Sequence, residues 1–164
     1  VRRKWFSAFI GLTVLAAFTA LGCGSGDEAQ KVFTMKEKVV LGKCQWTALS
    51  AESMKQTESG AKANGQFVLV ELEIKNNGSN DIILTGIEVE LLTTDKVYTY
   101  DSQQNASFYA AMKKEPIIGG SVKCGQAIKG WVAFDIDESA KNIRLRVRDT
   151  DITSNESSII ELNL

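Results

Sequence analysis

Hydrophobic and polar positions divide the chain into two regimes. From Trp5 to Phe18 the residues are uncharged and mostly apolar, preceded by Arg2, Arg3 and Lys4 and followed by Thr19-Ala20-Leu21-Gly22-Cys23-Gly24-Ser25-Gly26. Beyond Lys31 the chain changes to short runs of β-branched and aromatic residues separated by Gly, Asn, Asp and Ser clusters, the pattern of strands joined by turns. The strongest alternation is Gln66 to Asn76, with Val68, Val70, Leu72 and Ile74 on one face and Glu71, Glu73 and Lys75 on the other. Residues two apart in a strand point the same way, so this segment predicts a half-buried strand.

An opening strand or pair of strands is expected over Lys38 to Leu41 and Cys44 to Ala51, and further strands at Asp81 to Leu84, Ile87 to Leu91, Val97 to Tyr100, Gln126 to Ile136, Asn142 to Arg148 and Ser158 to Leu164. In the strand at Ile87, the apolar Ile87, Val89 and Leu91 oppose Glu88 and Glu90. Glu52 to Asn64 has few large apolar groups and reads as a long connection, while Asn77-Gly78-Ser79-Asn80 reads as a turn of residues that tolerate positive φ. Ser107 to Met112 fits either a short helical turn or an aromatic loop. About seven to eight short strands, a single proline and no long helix after the leading segment predict an all-β fold, an antiparallel β-sandwich with one wet face per sheet.

The leading segment resembles bacterial lipoprotein signal peptides, in which a positive head, an apolar run and small residues precede a cysteine that becomes the lipid-bearing N-terminus, carrying diacylglycerol and palmitate. The resemblance implies a signal peptide over residues 1–22, lipidation at Cys23, a flexible tether over 23–31 and a folded domain over 32–164. It implies an extracytoplasmic protein anchored to the cell membrane or outer membrane. The sequence departs from the usual pattern at Ala20, where leucine is commonest. Ala20-Leu21-Gly22 also suits an ordinary signal peptidase, which would give a secreted protein with a free Cys23. A retained membrane span is a third reading, although an apolar run of about 18 residues is at the short limit for a ~30 Å hydrocarbon core.

Removing such a leader leaves 142 residues, the length of one domain, with a net charge of −4. No nucleic-acid partner is expected: the only basic series, Arg144, Arg146 and Arg148, alternates as the solvated face of a strand. The chain has no histidine, which excludes Ser-His-Asp and Cys-His nucleophile pairs and the usual catalytic zinc sets. Three cysteines are present; with Cys23 assigned to lipid, Cys44 and Cys124 remain as an even pair, either a disulfide in an oxidising compartment or two buried thiols. A bridge closing about 80 residues stabilises by at most ~4.5 kcal/mol in the chain-entropy picture.

Two segments resemble the bacterial family of domain of unknown function 4352 (DUF4352). Gly65, Phe67, Val70 and Asn76-Asn77-Gly78 follow its first signature, and Gly125, Gly130, Phe134 and Ile136 its second, with Cys124 where proline is usual. The resemblance runs from about Val32 to Leu164 and implies an immunoglobulin-like sandwich, similar to a secreted immunoprotective mycobacterial antigen, with no assigned reaction. Cysteine in place of a turn proline adds support for pairing with Cys44. Gly78 is expected to relieve a turn, and Gly125 and Gly130 to sit at a bend and a bulge.

Candidate sites are few. Asp135, Asp137 and Glu138 gather three carboxylates within four residues, oxygen ligands of the kind calcium takes, although the spacing is not that of an EF-hand. Carboxylate pairs such as Glu71 with Glu73 or Glu88 with Glu90 are the only basis for an enzyme, and solvation explains them more simply. Tyr98, Tyr100, Phe108 and Tyr109 form an aromatic cluster suited to a protein or glycan partner, while Trp46 and Trp131 are expected in the core. No cofactor, metal or catalysis is expected; the sequence reads as a binding or interaction module of the cell envelope.

Overall fold

The computed structural model describes residues 30–58, 60–101, 109 and 112–164. Among them lie eleven strands: β1 Val32–Thr34, β2 Val39–Leu41, β3 Cys44–Gln56, β4 Lys62–Asn76, β5 Ile82–Ile83, β6 Val89–Leu92, β7 Val97–Thr99, β8 Ser121–Val122, β9 Ala127–Ile136, β10 Arg144–Arg148 and β11 Ser157–Glu161. One sheet has the order β1-β11-β10-β6-β7 and the other β2-β3-β4-β9, with a two-stranded ribbon of β5 and β8 beside them. The sandwich is therefore as expected, with more strands than seven or eight because β1 and β8 are too short to show a period. Nor is it wholly antiparallel, since β1 runs parallel to β11.

The alternation that predicted β4 holds in three dimensions: Val68, Val70, Leu72 and Ile74 are fully buried. They pack with Val132, Phe134 and Ile136 of β9 against Val89, Leu91, Leu145, Val147 and Ile160 of the facing sheet in one apolar core. Trp46 lies in that core as expected. Trp131 does not: β9 turns it to the outer face, where Leu69, Ala133 and Tyr109 form a second, smaller cluster.

Glu52 to Asn64 is not a long connection. β3 runs on to Gln56 and pairs antiparallel with β4, so most of the segment forms a hairpin. The sequence conceals this because Leu49 is an extra residue: Ala48 pairs with Leu72 but Ser50 with Glu71, a β-bulge. Before the bulge Cys44, Trp46 and Ala48 face the core; after it Ala51 does, and Met54 joins the outer cluster. The strand at Ile87 departs in a similar way. Glu88 is buried, its carboxylate accepting bonds from Thr85 N, Thr85 Oγ1 and Gly86 N, while Ile87 is turned out.

The strand directions define two ends. At one end lie residues 42–43, the 77–81 and 123–126 turns, the 149–156 connection and the approach to β1, because Gln30 bonds to Ser157, the first residue of β11. At the other lie the tip of the β3–β4 hairpin, the β6–β7 turn and residues 137–143, drawn together where Thr94 N donates to Lys141 O.

Candidate functional site

The acidic residues singled out by sequence stand at the end remote from β1. Here β4 is irregular: Met54 pairs with Phe67 but Gln56 with Lys62, which leaves residues 63–66 out of step. The Asp135 carboxylate fastens this irregularity, accepting Asn64 N at 2.9 Å, Asn64 Nδ2 at 2.8 Å and Gly65 N at 3.3 Å. Gly65 has to be glycine, since a Cβ there would lie 2.2 Å from Ile136 O. The result is a shallow polar cleft lined by Asn64, Gly65, Asp135, Asp137, Glu138 and Ser139.

Its carboxylates are turned to separate partners rather than toward one ion. Asp137 pairs with Lys96 and Glu138 with Lys55. Lys96 and the Tyr98 hydroxyl hold the Asp137 carboxyl below the usual range, and Asp137 in turn holds the Lys96 ammonium above its own. Among the described residues no three acidic or cysteine side chains converge as a metal site. The calcium candidate Asp135, Asp137 and Glu138 is thus not assembled in this structure. Asn64, which lines the cleft, and Lys55 and Lys96, which pair with its carboxylates, have no sequence signal because they come from other strands and turns.

The aromatic cluster is mostly structural. Tyr109 is buried and donates to Trp131 O at 2.9 Å, and burial together with Tyr100 pushes its phenol pKa upward. Tyr98 and Tyr100 are half-buried and pack on the main core, and burial raises Tyr100 as well. Phe108 lies outside the described residues, as do Cys23, residues 1–22 and most of the 23–31 tether. Above Trp131 the Lys114 ammonium stands 3.2 Å from the ring centroid and pairs with Glu52 at 2.6 Å, closing the outer cluster.

The expected Cys44–Cys124 bridge is not formed; both are free thiols. Cys44 points into the sandwich, where burial raises its pKa against the opposing contact to Thr150 Oγ1 at 3.6 Å. Cys124 is exposed and its thiol donates to Gly78 O at 3.0 Å, so one sulfur is committed to the core and the other to the surface turn. The signature residues have structural duties too. Asn76 is fully buried, donating to Asn80 O and Val122 O and accepting from Gly78 N, so a side chain rather than a positive φ forms the turn. Gly125 has φ +73°, the expected bend, whereas Gly130 sits in unbroken register and leaves room for Ile117 rather than marking a bulge. Arg146 and Arg148 are not simply solvated: both donate to Glu90 Oε2 at 2.9 Å across the sheet.

The family profile of DUF4352, a domain of unknown function, matches residues 33–159. The chain belongs to the DUF4352 family. Solved structures share its fold at low identity. The yjhA protein of Bacillus subtilis is 14% identical, with a TM-score of 0.58 over 79% of this chain and 98% of that one. The secreted protein MPT63 of Mycobacterium tuberculosis is 15% identical, with a TM-score of 0.58 over 82% and 98%. The candidate lipoprotein ycdA of B. subtilis is 11% identical, with a TM-score of 0.54 over 76% of this chain but only 38% of that one. No curated protein sequence matches the chain. The β-sandwich is thus shared with these proteins, and within it Asn76, Gly65 and Gly125 of the DUF4352 match have the structural duties described above.

Proposed function

We propose that this DUF4352 protein is exported, lipidated at Cys23 and held on the outer side of a membrane, where it serves as a non-catalytic binding module. The observation that carries the reading is the order of Arg2-Arg3-Lys4, the apolar run, Cys23 and a small polar tether immediately ahead of a β-sandwich. The fold it shares with a candidate lipoprotein and a secreted protein supports an extracytoplasmic place. The absence of histidine and the neutralisation of Asp137 and Glu138 by lysines support a role without catalysis. The polar cleft around Asn64 and Asp135, rather than the tyrosines, is the face presented to a protein or glycan of the envelope. Release as a secreted protein is the second reading, favoured by Ala20-Leu21-Gly22.

Intact-mass measurement of the membrane fraction tests both. A diacylglyceryl adduct on Cys23, lost together with membrane retention in Cys23→Ala, is the expected result. An unmodified Cys23 in the culture medium selects the secreted form. Envelope crosslinking from Ser139→Cys at the cleft then reports the partner, and a cleft that captures nothing while the rest of the surface does would refute the assignment of that face.

A further inference from the structure

We infer that the end of the sandwich from which the tether leaves is a bilayer-contacting surface, so the protein stands on the membrane in a fixed sense with its polar cleft outward. The inference rests on the anchoring proposed above and adds the orientation and the lipid contact.

Three observations meet at this end. Gln30 is bonded to Ser157 Oγ at 2.6 Å and Ile159 N donates to Lys31 O at 3.0 Å, so the chain is already docked beside β11 by residue 30. Only Cys23 to Ala29 remain to reach a lipid at Cys23, a span of about 23 Å even fully extended. A tether of that length holds the near end of the domain close to the headgroups, within reach of direct contact.

The same end carries the two most exposed large apolar side chains among the described residues and a third close behind. Ile152 is 85% exposed, Ile83 69% and Ile87 62%. All three belong to this end: Ile83 lines a shallow pocket with Gly42, Lys43 and Asp149–Asp151, Ile152 follows Asp151 in the chain, and Ile87 adjoins Glu88, whose carbonyl receives Arg148 N. Isolated exposed isoleucines need no explanation, but three on one end facing a lipid anchor make an interfacial contact. Among the carboxylates around them, Asp81 is held by Lys123 at 2.7 Å, while Asp151 stays exposed and accepts the Thr153 amide and hydroxyl. The contact is thus made by the isoleucines among acidic neighbours, and a zwitterionic bilayer rather than an anionic one suits it. The opposite end offers Asn64, Asp137, Glu138, Lys55 and Lys96, all polar, and suits water.

The test places a tryptophan at each end of the full chain, Ile152→Trp or Ser139→Trp, and measures quenching by phosphatidylcholine vesicles with brominated acyl chains. Tryptophan at 152 is expected to be quenched at least twofold more than at 139, and the Ile83→Asp/Ile87→Asp pair to reduce that quenching. Equal quenching at the two positions, or stronger quenching at 139, overturns the inference. Intact mass at Cys23 in the same sample separates the two readings: a lipidated protein without the difference refutes the orientation alone, whereas an unmodified Cys23 refutes the anchor.

Discussion

At the residue scale, the two folded-domain cysteines differ in environment and therefore in chemistry. Cys124 is exposed, whereas Cys44 is buried with its thiol pKa raised, and thiolate is the reactive form. Native protein at pH 8 is expected to take one iodoacetamide adduct at Cys124, with Cys44 reacting at least about tenfold more slowly until the chain is unfolded without reductant. Peptide mass spectrometry reads both sites, and a bridged peptide in the unreduced sample would contradict the free thiols. Gly65 offers a second local test. Adding a methyl group 2.2 Å from Ile136 O forces backbone movement, so Gly65→Ala is expected to cost about 1–3 kcal/mol, read as a lower urea midpoint.

At the scale of elements, Leu49 sets the phase of β3. Deleting it would remove the bulge and leave one unbroken alternation, Ala48 inward, Ser50 outward and Ala51 inward, so every following residue keeps its face, whereas an alanine inserted after Ala51 would turn Met54 inward. The deletion is expected to keep cooperative unfolding and the insertion to abolish it; circular dichroism during urea titration distinguishes the two. The segment over Tyr109 and Lys114 depends on weaker ties. Lys114→Ala is expected to destabilise by about 0.5–1 kcal/mol, and a double-mutant cycle with Trp131→Leu should show coupling between them.

These same elements show what sequence can and cannot carry. β4, β9 and β10 were legible because one wet and one dry face impose a period of two on their side chains. The far half of β3 was not, because a single inserted residue reverses the period without changing composition. Glu88 and Ile87 were assigned to the wrong faces for a related reason: the strand begins only at Val89, and the turn before it needs a buried carboxylate to satisfy its amides. Of the candidate site, the acidic residues were visible but not their lysine partners. Asp137 meets Lys96, and Glu138 meets Lys55, only through the packing of strands far apart in sequence.

For the whole molecule, acid should loosen the fold through exposed carboxylates held by neighbours at both ends. Lys123 and the Cys124 amide lower the pKa of Asp81, Lys96 and Tyr98 that of Asp137, and the Thr153 hydroxyl and amide that of Asp151. A carboxyl whose folded pKa lies below its unfolded value near ~3.9 adds stability above that value. The contribution is lost as pH falls through the folded pKa. Melting temperatures recorded from pH 7 down to pH 2.5 should therefore fall less below about pH 4 for Asp81→Asn/Asp137→Asn than for the parent. An unchanged acid limb would mean that these pairs contribute nothing in solution.

The parallel docking of β1 on β11 also decides how the sandwich bears load. A pull on the chain ahead of Val32, directed along the strand, is borne lengthwise by the β1–β11 bonds together instead of peeling them one by one. Three residue pairs, from Val32 with Ile159 to Thr34 with Glu161, thus act as a shear clamp between leash and body. The core strands on the far side of β11 would feel a tug only after that clamp has let go.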